Sequence, residues 1–248
     1  MKRDWWNREF RRLVALGEST TAGGWSSSRQ RCWVWQLGQL ISDVQRMPIE
    51  VINAGIGANV ISTNSPAYTY SGKPAGSERL GKHVIDRQPD LLIISYGLND
   101  ARGGTPLELF CQEMKKIVLD VRQQIQPLIV LLGPYYMYDF HLGAPYWDKG
   151  SLEVFRQYNL AIKEVAQACK CLFVDLLESY QEADWLVHRD GVHANDVGHR
   201  VVANKVFEVL VSNCSGLSLE TKALEDRIPP WRDESTLQAD YGYTSGDS

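Results

Sequence analysis

The sequence predicts an α/β fold: a three-layer α/β/α sandwich with one five-stranded parallel sheet in the middle layer. Two observations lead to this prediction. Five short apolar segments recur along the chain, and amphipathic helical patterns separate them. The chain has 248 residues, 44% of them hydrophobic and 23% charged, which is ordinary globular usage for one core of this size. This composition excludes a fibre, a disordered chain and a disulfide-stabilised miniprotein.

The predicted strands are residues 13–16, 49–52, 91–94, 128–132 and 172–174. Each is apolar without alternation, as expected for strands buried on both faces of a parallel sheet. Apolar residues step by three or four positions over 34–44, 110–125 and 155–169, and the same spacing begins at 202–209. Such spacing gives each helix one apolar stripe that packs against the sheet. Because ligands of these folds bind beyond the carboxyl ends of the strands, the residues after each strand are candidates for a functional site.

The charge is distributed unevenly along the chain. The formal net charge is −4, and residues 217–248 hold seven acidic and three basic residues, which accounts for all of it. We therefore predict a folded domain over 1–216 and an acidic, extended C-terminal extension over 217–248. A neutral body gives no electrostatic reason to expect nucleic acid as a partner. Whether Trp231, Tyr241 and Tyr243 of the extension dock on the body or on a second subunit, as in a homo-oligomer, is left open.

The sequence gives no sign of a membrane span or a metal. Its apolar segments are far shorter than the roughly 18 residues that a span needs, and the charged N-terminus lacks the apolar region of a signal peptide. The five cysteines show no zinc-binding spacing, and the five histidines show no H-E-x-x-H pattern. We expect reduced thiols in a cytoplasmic protein that needs neither a metal nor a cofactor.

Polar motifs follow four of the predicted strands. They are Gly17-Glu18-Ser19, Asn53-Ala54-Gly55-Ile56-Gly57-Ala58-Asn59, Gly97-Leu98-Asn99-Asp100 and Asp190-Gly191-Val192-His193. A serine hydroxyl needs a base to act as a nucleophile, and His193 can be that base, with Asp190 orienting its ring. The N–H of Ser19, a backbone N–H at Gly57 or Ala58 and the amide of Asn99 can converge on a developing oxyanion.

With these four motifs in this order, from about residue 10 to 212, the sequence resembles an SGNH hydrolase of the GDSL esterase/lipase superfamily. One such motif alone is common by chance, but four in order at strand ends are specific. The resemblance implies the flavodoxin-like SGNH hydrolase fold. It also implies Ser19 as nucleophile, Asp190 and His193 as the rest of a catalytic triad, and Asn99 with the second motif's backbone as the oxyanion hole.

The motifs depart from the family pattern at two positions that bear on the site. Glu18 stands where the family has Asp, and the extra methylene can reshape the turn. The usual spacing of the second motif puts Ala58 at the family's oxyanion position, where alanine can supply its N–H if its φ stays negative. A shift of one residue would make Gly57 the donor instead, so both residues remain candidates.

Several of these residues also have ordinary structural interpretations. Ser19 could be a helix N-cap, and Asp190 with His193 could form a surface turn. We interpret His188 and His199 as surface or packing residues and Arg102 as a solvated surface arginine.

An aromatic cluster follows the fourth predicted strand. Its members are Tyr135, Tyr136, Tyr138, Phe140, Tyr146 and Trp147. Tyr135, Tyr136, Tyr138 and Trp147 are candidates for a wall that binds substrate, and a packed loop or an oligomer contact is the alternative.

The residues and the resemblance together predict a serine esterase that hydrolyses short-chain carboxylic esters through an acyl-serine intermediate. The polar segment 58–80 favours a small-molecule or carbohydrate ester, such as an O-acetylated sugar. An acyltransferase, a thioesterase or a lysophospholipase of the same fold remains an alternative. A hypothesis of another class, motivated by Glu18 and Ala58, is a catalytically degenerate module that binds glycan.

Overall fold

The computed structural model describes residues 2–229 and 241–242 and contains one parallel sheet. Its strands are β1 (Arg12–Gly17), β2 (Glu50–Gly55), β3 (Leu91–Ser95), β4 (Leu128–Leu132) and β5 (Leu172–Val174). Their order across the sheet is β2-β1-β3-β4-β5, and every neighbouring pair is parallel. The five predicted strands are confirmed, and β1 and β2 extend further toward their carboxyl ends than predicted.

Helices flank the sheet. Within the described residues the α-helices are α1 (Ser19–Ala22), α2 (Trp33–Ser42), α3 (Tyr68–Ser71), α4 (Leu80–His83), α5 (Leu98–Arg102), α6 (Leu107–Gln124), α7 (Leu152–Ala168), α8 (Leu176–Tyr180), α9 (Asp196–Asn213) and α10 (Leu219–Glu225). Short 3-10 helices form at Arg29–Arg31, Ser77–Arg79, Ile85–Arg87, Asp184–Leu186 and Ser215–Ser218. The predicted helical patterns correspond to α2, α6, α7 and α9, whereas a one-turn helix holds too few residues to show a period.

The core lies on both sides of the sheet. Every residue of β3 and β4 is buried, as the unbroken apolar composition of these strands predicts. On the helices, α2 packs on α9 and α6 packs on α7. Buried residues such as Met114 of α6, Ile162 of α7 and Val206 of α9 supply the apolar stripes that the sequence spacing indicated.

The register of the sheet aligns the carboxyl ends of its central strands. Gly17 of β1 pairs with Gly55 of β2 on one side and with Ser95 of β3 on the other. The segments that follow these strands therefore start at one level and share one edge of the sheet. This is the edge at which parallel α/β sheets bind ligands.

The prediction that the C-terminal extension is extended throughout is wrong for its first part. Residues 215–218 form a 3-10 turn and α10 follows directly, with Leu217 buried and Gly216 packed against the backbone of Arg8. The pattern is too short to recognise because α10 has seven residues, none of them buried. Tyr241 is exposed, and Trp231 and Tyr243 lie outside the described residues.

No helix in the described part of the chain combines the length and the apolar character needed to cross a membrane.

Candidate active site

Ser19 lies on the sharp turn between β1 and α1. The strand ends at Gly17, and Ser19 is the first residue of the helix. Glycine is required at this turn, because a β-carbon on Gly17 would lie 2.2 Å from Thr21 Oγ1 and 2.7 Å from the Ser95 carbonyl oxygen. The close approach of the three segments holds Ser19 at the carboxyl edge of the sheet, where it is 4% exposed.

Ser19, His193 and Asp190 form a chain of two side-chain hydrogen bonds. The distance from Ser19 Oγ to His193 Nε2 is 2.9 Å, and that from His193 Nδ1 to Asp190 Oδ2 is 2.6 Å. The other carboxylate oxygen of Asp190 accepts the backbone N–H groups of Val192 and His193, both at 3.0 Å. Asp190 thus closes its own loop and orients the imidazole beside the Ser19 hydroxyl.

The environment of this pair favours a neutral imidazole beside an ionised carboxylate. Burial lowers the pKa of His193 below its ordinary value, against the opposing hydrogen bond and charge of Asp190. Burial acts to raise the pKa of Asp190, but the backbone N–H groups of His193 and Val192 and the hydrogen bond to the imidazole outweigh it and lower the pKa. A neutral imidazole can accept a proton at Nε2, which is what a general base requires.

Glu18 connects the Ser19 turn to the Asn99 turn. Its two carboxylate oxygens accept the backbone N–H groups of Leu98 at 3.0 Å and Asn99 at 2.8 Å, in the first turn of α5. The residue is 1% exposed. Burial, with a smaller contribution from the charge of Asp100, raises the pKa of Glu18 to about 8, while the two N–H donors favour its anion. The Glu18 side chain thus spans from the Ser19 turn to the start of α5.

Asn59 holds the amide of Asn99 in place. The Asn99 Nδ2 group donates to the Asn59 carbonyl oxygen at 3.1 Å. The Asn59 side chain is itself fixed, because its Oδ1 accepts from Arg79 Nη2 at 2.9 Å and from the Tyr96 hydroxyl at 2.7 Å. The Arg79 guanidinium also donates to the carbonyl oxygen of Gly17 at 3.2 Å, at the end of β1. A buried polar network thus connects Asn99 to the strand that carries Ser19.

The turn at Gly57 and Ala58 lies at the same carboxyl edge of the sheet as Ser19. A β-carbon on Gly57 would lie 3.9 Å from the β-carbon of Ser19, so its backbone runs beside the Ser19 turn. Ala58 has a φ of +53°, so the condition for an alanine donor, a negative φ, is not met. Among the described residues neither backbone N–H donates a hydrogen bond. Neither N–H group is therefore occupied by a partner within the described residues.

The aromatic cluster is divided between core and surface. Tyr135 is buried, stacks on Tyr180 and accepts the Ala194 N–H at its hydroxyl, which favours the packing interpretation for this residue. The Tyr136 hydroxyl donates to Asp184, and Trp147 packs beside Ala67 of the segment 58–80.

Tyr138 is an exposed member of the cluster that lies against the loop that carries His193. Its ring lies over Gly191, where an added β-carbon would be 2.9 Å from Tyr138 Cε2, and it is 44% exposed. It is also linked by its backbone, because its N–H donates to the Gly191 carbonyl oxygen at 2.9 Å.

Arg102 is a buried residue, so the prediction of a solvated surface arginine is wrong. It ends α5, and its guanidinium donates to the carbonyl oxygen of Leu142, while its own carbonyl oxygen accepts the Lys149 N–H. These two contacts hold the segment 139–150 against α5. The sequence could not show this, because the segment that covers Arg102 is 40 residues away.

Trp25 is a residue of the site that motif reasoning missed. Its indole stacks on the imidazole of His193, with ring centroids 3.3 Å apart and planes 5° from parallel. The available signal was a lone tryptophan in a Gly- and Ser-rich segment six residues after Ser19.

Within residues 2–229 and 241–242, no group of three or more His, Cys, Asp or Glu residues is arranged to hold a metal ion. The five cysteines are free thiols.

Comparisons with known proteins agree on the fold and the family. The model of the GDSL-like Lipase/Acylhydrolase family matches residues 15–201. Among solved structures, a lipase/acylhydrolase from Enterococcus faecalis is similar with a TM-score of 0.65 at 21% identity, over 82% of this chain and 96% of that one. A search of curated proteins finds no match.

A second similar structure is Axe2, an acetylxylan esterase from Geobacillus stearothermophilus. Its TM-score is 0.60 at 20% identity, over 81% of this chain and 94% of that one. Variants of Axe2 that replace a serine, an aspartate or a histidine by alanine are described as catalytic mutants of that enzyme.

Proposed function

The chain belongs to the GDSL-like lipase/acylhydrolase family, and on that premise we propose that it is a serine esterase acting on short-chain carboxylic esters. The observation that carries the proposal is the hydrogen-bonded chain from Ser19 Oγ through His193 to Asp190. Axe2 supports the assignment by analogy, since its mutated aspartate and histidine are three positions apart, as Asp190 and His193 are here.

In this proposal Ser19 is the nucleophile and His193 the general base. His193 Nε2 takes the proton of Ser19 Oγ as the oxygen bonds to the ester carbonyl carbon. Asp190 stabilises the imidazolium that forms. The bond from the carbonyl carbon to the alkoxy oxygen then breaks, and the imidazolium gives its proton to the leaving alcohol. Water repeats the sequence on the acyl-serine and releases the carboxylic acid, which restores the Ser19 hydroxyl.

The oxyanion of each tetrahedral intermediate is stabilised by three donors. They are the backbone N–H of Ser19, a backbone N–H at Gly57 or Ala58, and the Asn99 Nδ2 group. The support for this role is that Asn59 occupies one N–H of the Asn99 amide and leaves the other for a ligand. The close approach of Gly57 to Ser19 makes Gly57 the backbone donor that we favour.

The burial of Ser19 favours a small acyl group. Ser19 and His193 are 4% and 8% exposed, which leaves little room for a long acyl chain beside the hydroxyl. The neighbouring segment 58–80 is polar, with Ser, Thr and Asn side chains, which suits an alcohol part that carries hydroxyl groups. We propose an acetyl ester of a carbohydrate as the substrate, the class that the name of Axe2 also indicates for that enzyme.

Covalent labelling with a fluorophosphonate tests the proposal directly. We expect one adduct, located by peptide mass spectrometry at Ser19, and loss of both the adduct and p-nitrophenyl acetate hydrolysis in Ser19→Ala. Ser212→Ala is the matched control, because Ser212 is exposed on α9, remote in sequence from the four motifs. A wild-type protein without an adduct contradicts the esterase and favours the glycan-binding module.

A further inference from the structure

The stacking of Trp25 on His193 is a built contact rather than a chance position of an exposed side chain. One face of the imidazole is covered by the indole, in parallel planes 3.3 Å apart by ring centroids. The edge of the ring meanwhile contacts Asp190 through Nδ1 and Ser19 through Nε2. Trp25 itself is 38% exposed, so the packing of the core does not force it onto this ring.

The segment that carries Trp25 is anchored on both sides of the site. It leaves α1 at Gly23, whose φ of +73° and close approach to Cys32 require glycine. Ser27 is bonded to the carboxylate of Asp196, at 2.7 Å from its backbone nitrogen and at 2.6 Å from its hydroxyl. Asp196 is the first residue of α9 and follows His193 by three positions. The indole is thus positioned relative to both the serine and the base.

We propose that Trp25 is a positioning residue, which holds the His193 ring in line with Ser19 and stabilises the imidazolium that forms during ester cleavage. The inference rests on the proposed function. An aromatic face attracts a cation through its quadrupole, most strongly for indole and when water is excluded. The neutral imidazole gains less from the same contact. The stack therefore favours the transition state, in which His193 carries the proton of Ser19, over the ground state.

Several other groups act on the charge of His193. Asp190, on the same loop, favours the imidazolium, whereas Arg102 of α5 and His188 of the preceding loop oppose it. His199 of α9 also lies nearby, but burial lowers its pKa to about 4, so it stays neutral where His193 titrates. Variants at Trp25 must therefore be compared with each other, since all of them keep this set of charges. Phe and Leu cover a similar area, and only Phe retains an aromatic face.

Kinetics of Trp25→Phe and Trp25→Leu separate the aromatic contribution from simple coverage of the ring. We expect kcat to fall about tenfold in Trp25→Leu and about threefold in Trp25→Phe, with KM within about twofold of wild type. The pH midpoint of the acid limb of the kcat profile should be about half a pH unit lower in the Leu variant than in the Phe variant. Equal kcat values and equal profiles for Phe and Leu would overturn the proposal.

A fluorescence titration tests the contact without any turnover. A protonated imidazole quenches an indole that it touches, so wild-type emission should fall in one step as the pH drops through the pKa of His193. The step should vanish in Trp25→Phe and in His193→Gln, and persist in Trp185→Phe, whose indole is 77% exposed. Circular dichroism checks that each variant is folded.

The esterase assay and the fluorescence titration can fail independently of each other. Ser19→Ala abolishes hydrolysis but should keep the fluorescence step, so a protein without esterase activity can still show the stack. A step of equal size in wild type and Trp25→Phe would show that Trp25 does not contact the base and would overturn the inference, whatever the esterase assay shows.

Discussion

The proposed base side and the proposed oxyanion side of the site are built in opposite ways. The base side consists of Asp190, His193 and Trp25, which covers the His193 ring. Its central hydrogen bond joins Asp190 and His193, which are three positions apart in one loop. The oxyanion side consists of Asn99 and its supports, Glu18, Asn59 and Arg79, which come from four separate segments of the chain. None of these four is more than 4% exposed.

This difference indicates how substitutions on each side should affect the reaction. A local turn such as Asp190 to His193 forms whenever its loop does. A buried polar network is stable only if all its members keep their partners, because an unpaired buried group loses its hydration without compensation. Substitutions on the oxyanion side should therefore disturb the reaction through geometry, and those on the base side through the charge of the imidazole.

The largest effect is expected from Asn99→Ala, which removes the side-chain donor of the oxyanion side. The kcat should fall by about 10²–10³, because a preorganised donor acts on charge that develops in the transition state. KM should change far less. Steady-state kinetics with p-nitrophenyl acetate give both values, and Asn204→Ala, at an exposed asparagine of α9, is the control. An Asn99→Ala enzyme within about threefold of wild type would remove Asn99 from the oxyanion hole.

An intermediate effect is expected from Glu18→Gln. The comparison is made above pH 8, where Glu18 is ionised and its two oxygens accept the N–H groups of Leu98 and Asn99. Glutamine has one oxygen for these two donors, so one of them is left unpaired. The free energy of unfolding should fall by about 1–3 kcal/mol. Urea denaturation measures this change.

A loss of kcat in the same variant would show that Glu18 also positions Asn99. Glu18→Asp keeps both carboxylate oxygens but is shorter by one methylene. Comparing it with Glu18→Gln separates the effect of side-chain length from the effect of the number of acceptor oxygens. If Glu18→Gln matches wild type in both stability and kcat, the connection between the two turns has no energetic role.

The smallest effect concerns pH and tests whether the two sides are independent. Burial lowers the pKa of His193, and its neutral form is the active base, so kcat/KM should rise with pH through a midpoint below the ordinary histidine pKa. The protein should therefore keep its hydrolytic activity at mildly acidic pH. Asp190→Asn should move the midpoint lower, because it removes the charge that favours the imidazolium.

Asn99→Ala should leave the midpoint where it is, although it lowers the rate. A pH profile of kcat/KM for the three proteins gives the comparison. A midpoint that moves in Asn99→Ala by as much as in Asp190→Asn would mean that the two sides are coupled.

The sheet and the long helices could be predicted because their signals are local. Unbroken apolar composition identified β3 and β4, and spacing of three and four residues identified α6 and α7. The extra length of β2 could not be predicted, because its last residues, Asn53 to Gly55, are polar or small and lack the apolar signal of a buried strand, although they pair with β1. The helix α10 was missed because it is short and exposed.

The roles proposed for Ser19, Asn99, Asp190 and His193 came from motifs at strand ends, and the structure brings Ser19, His193 and Asp190 within hydrogen-bonding distance. Motif reasoning did not identify the supports of Asn99. Asn59 is the last residue of the second motif and had no role assigned to it. Arg79 lies in a segment with no recognisable pattern.

The sequence by itself determined the fold class, the four motifs and their order along one edge of the sheet. These follow from periodicity and from the rule that parallel strands end on the same side. Only the tertiary structure decided that Glu18 reaches α5, that Arg102 is buried, that Ala58 has a positive φ and that Trp25 covers His193. The physical reason is that each of these depends on which distant segments pack together, and such contacts leave no period or spacing in the chain.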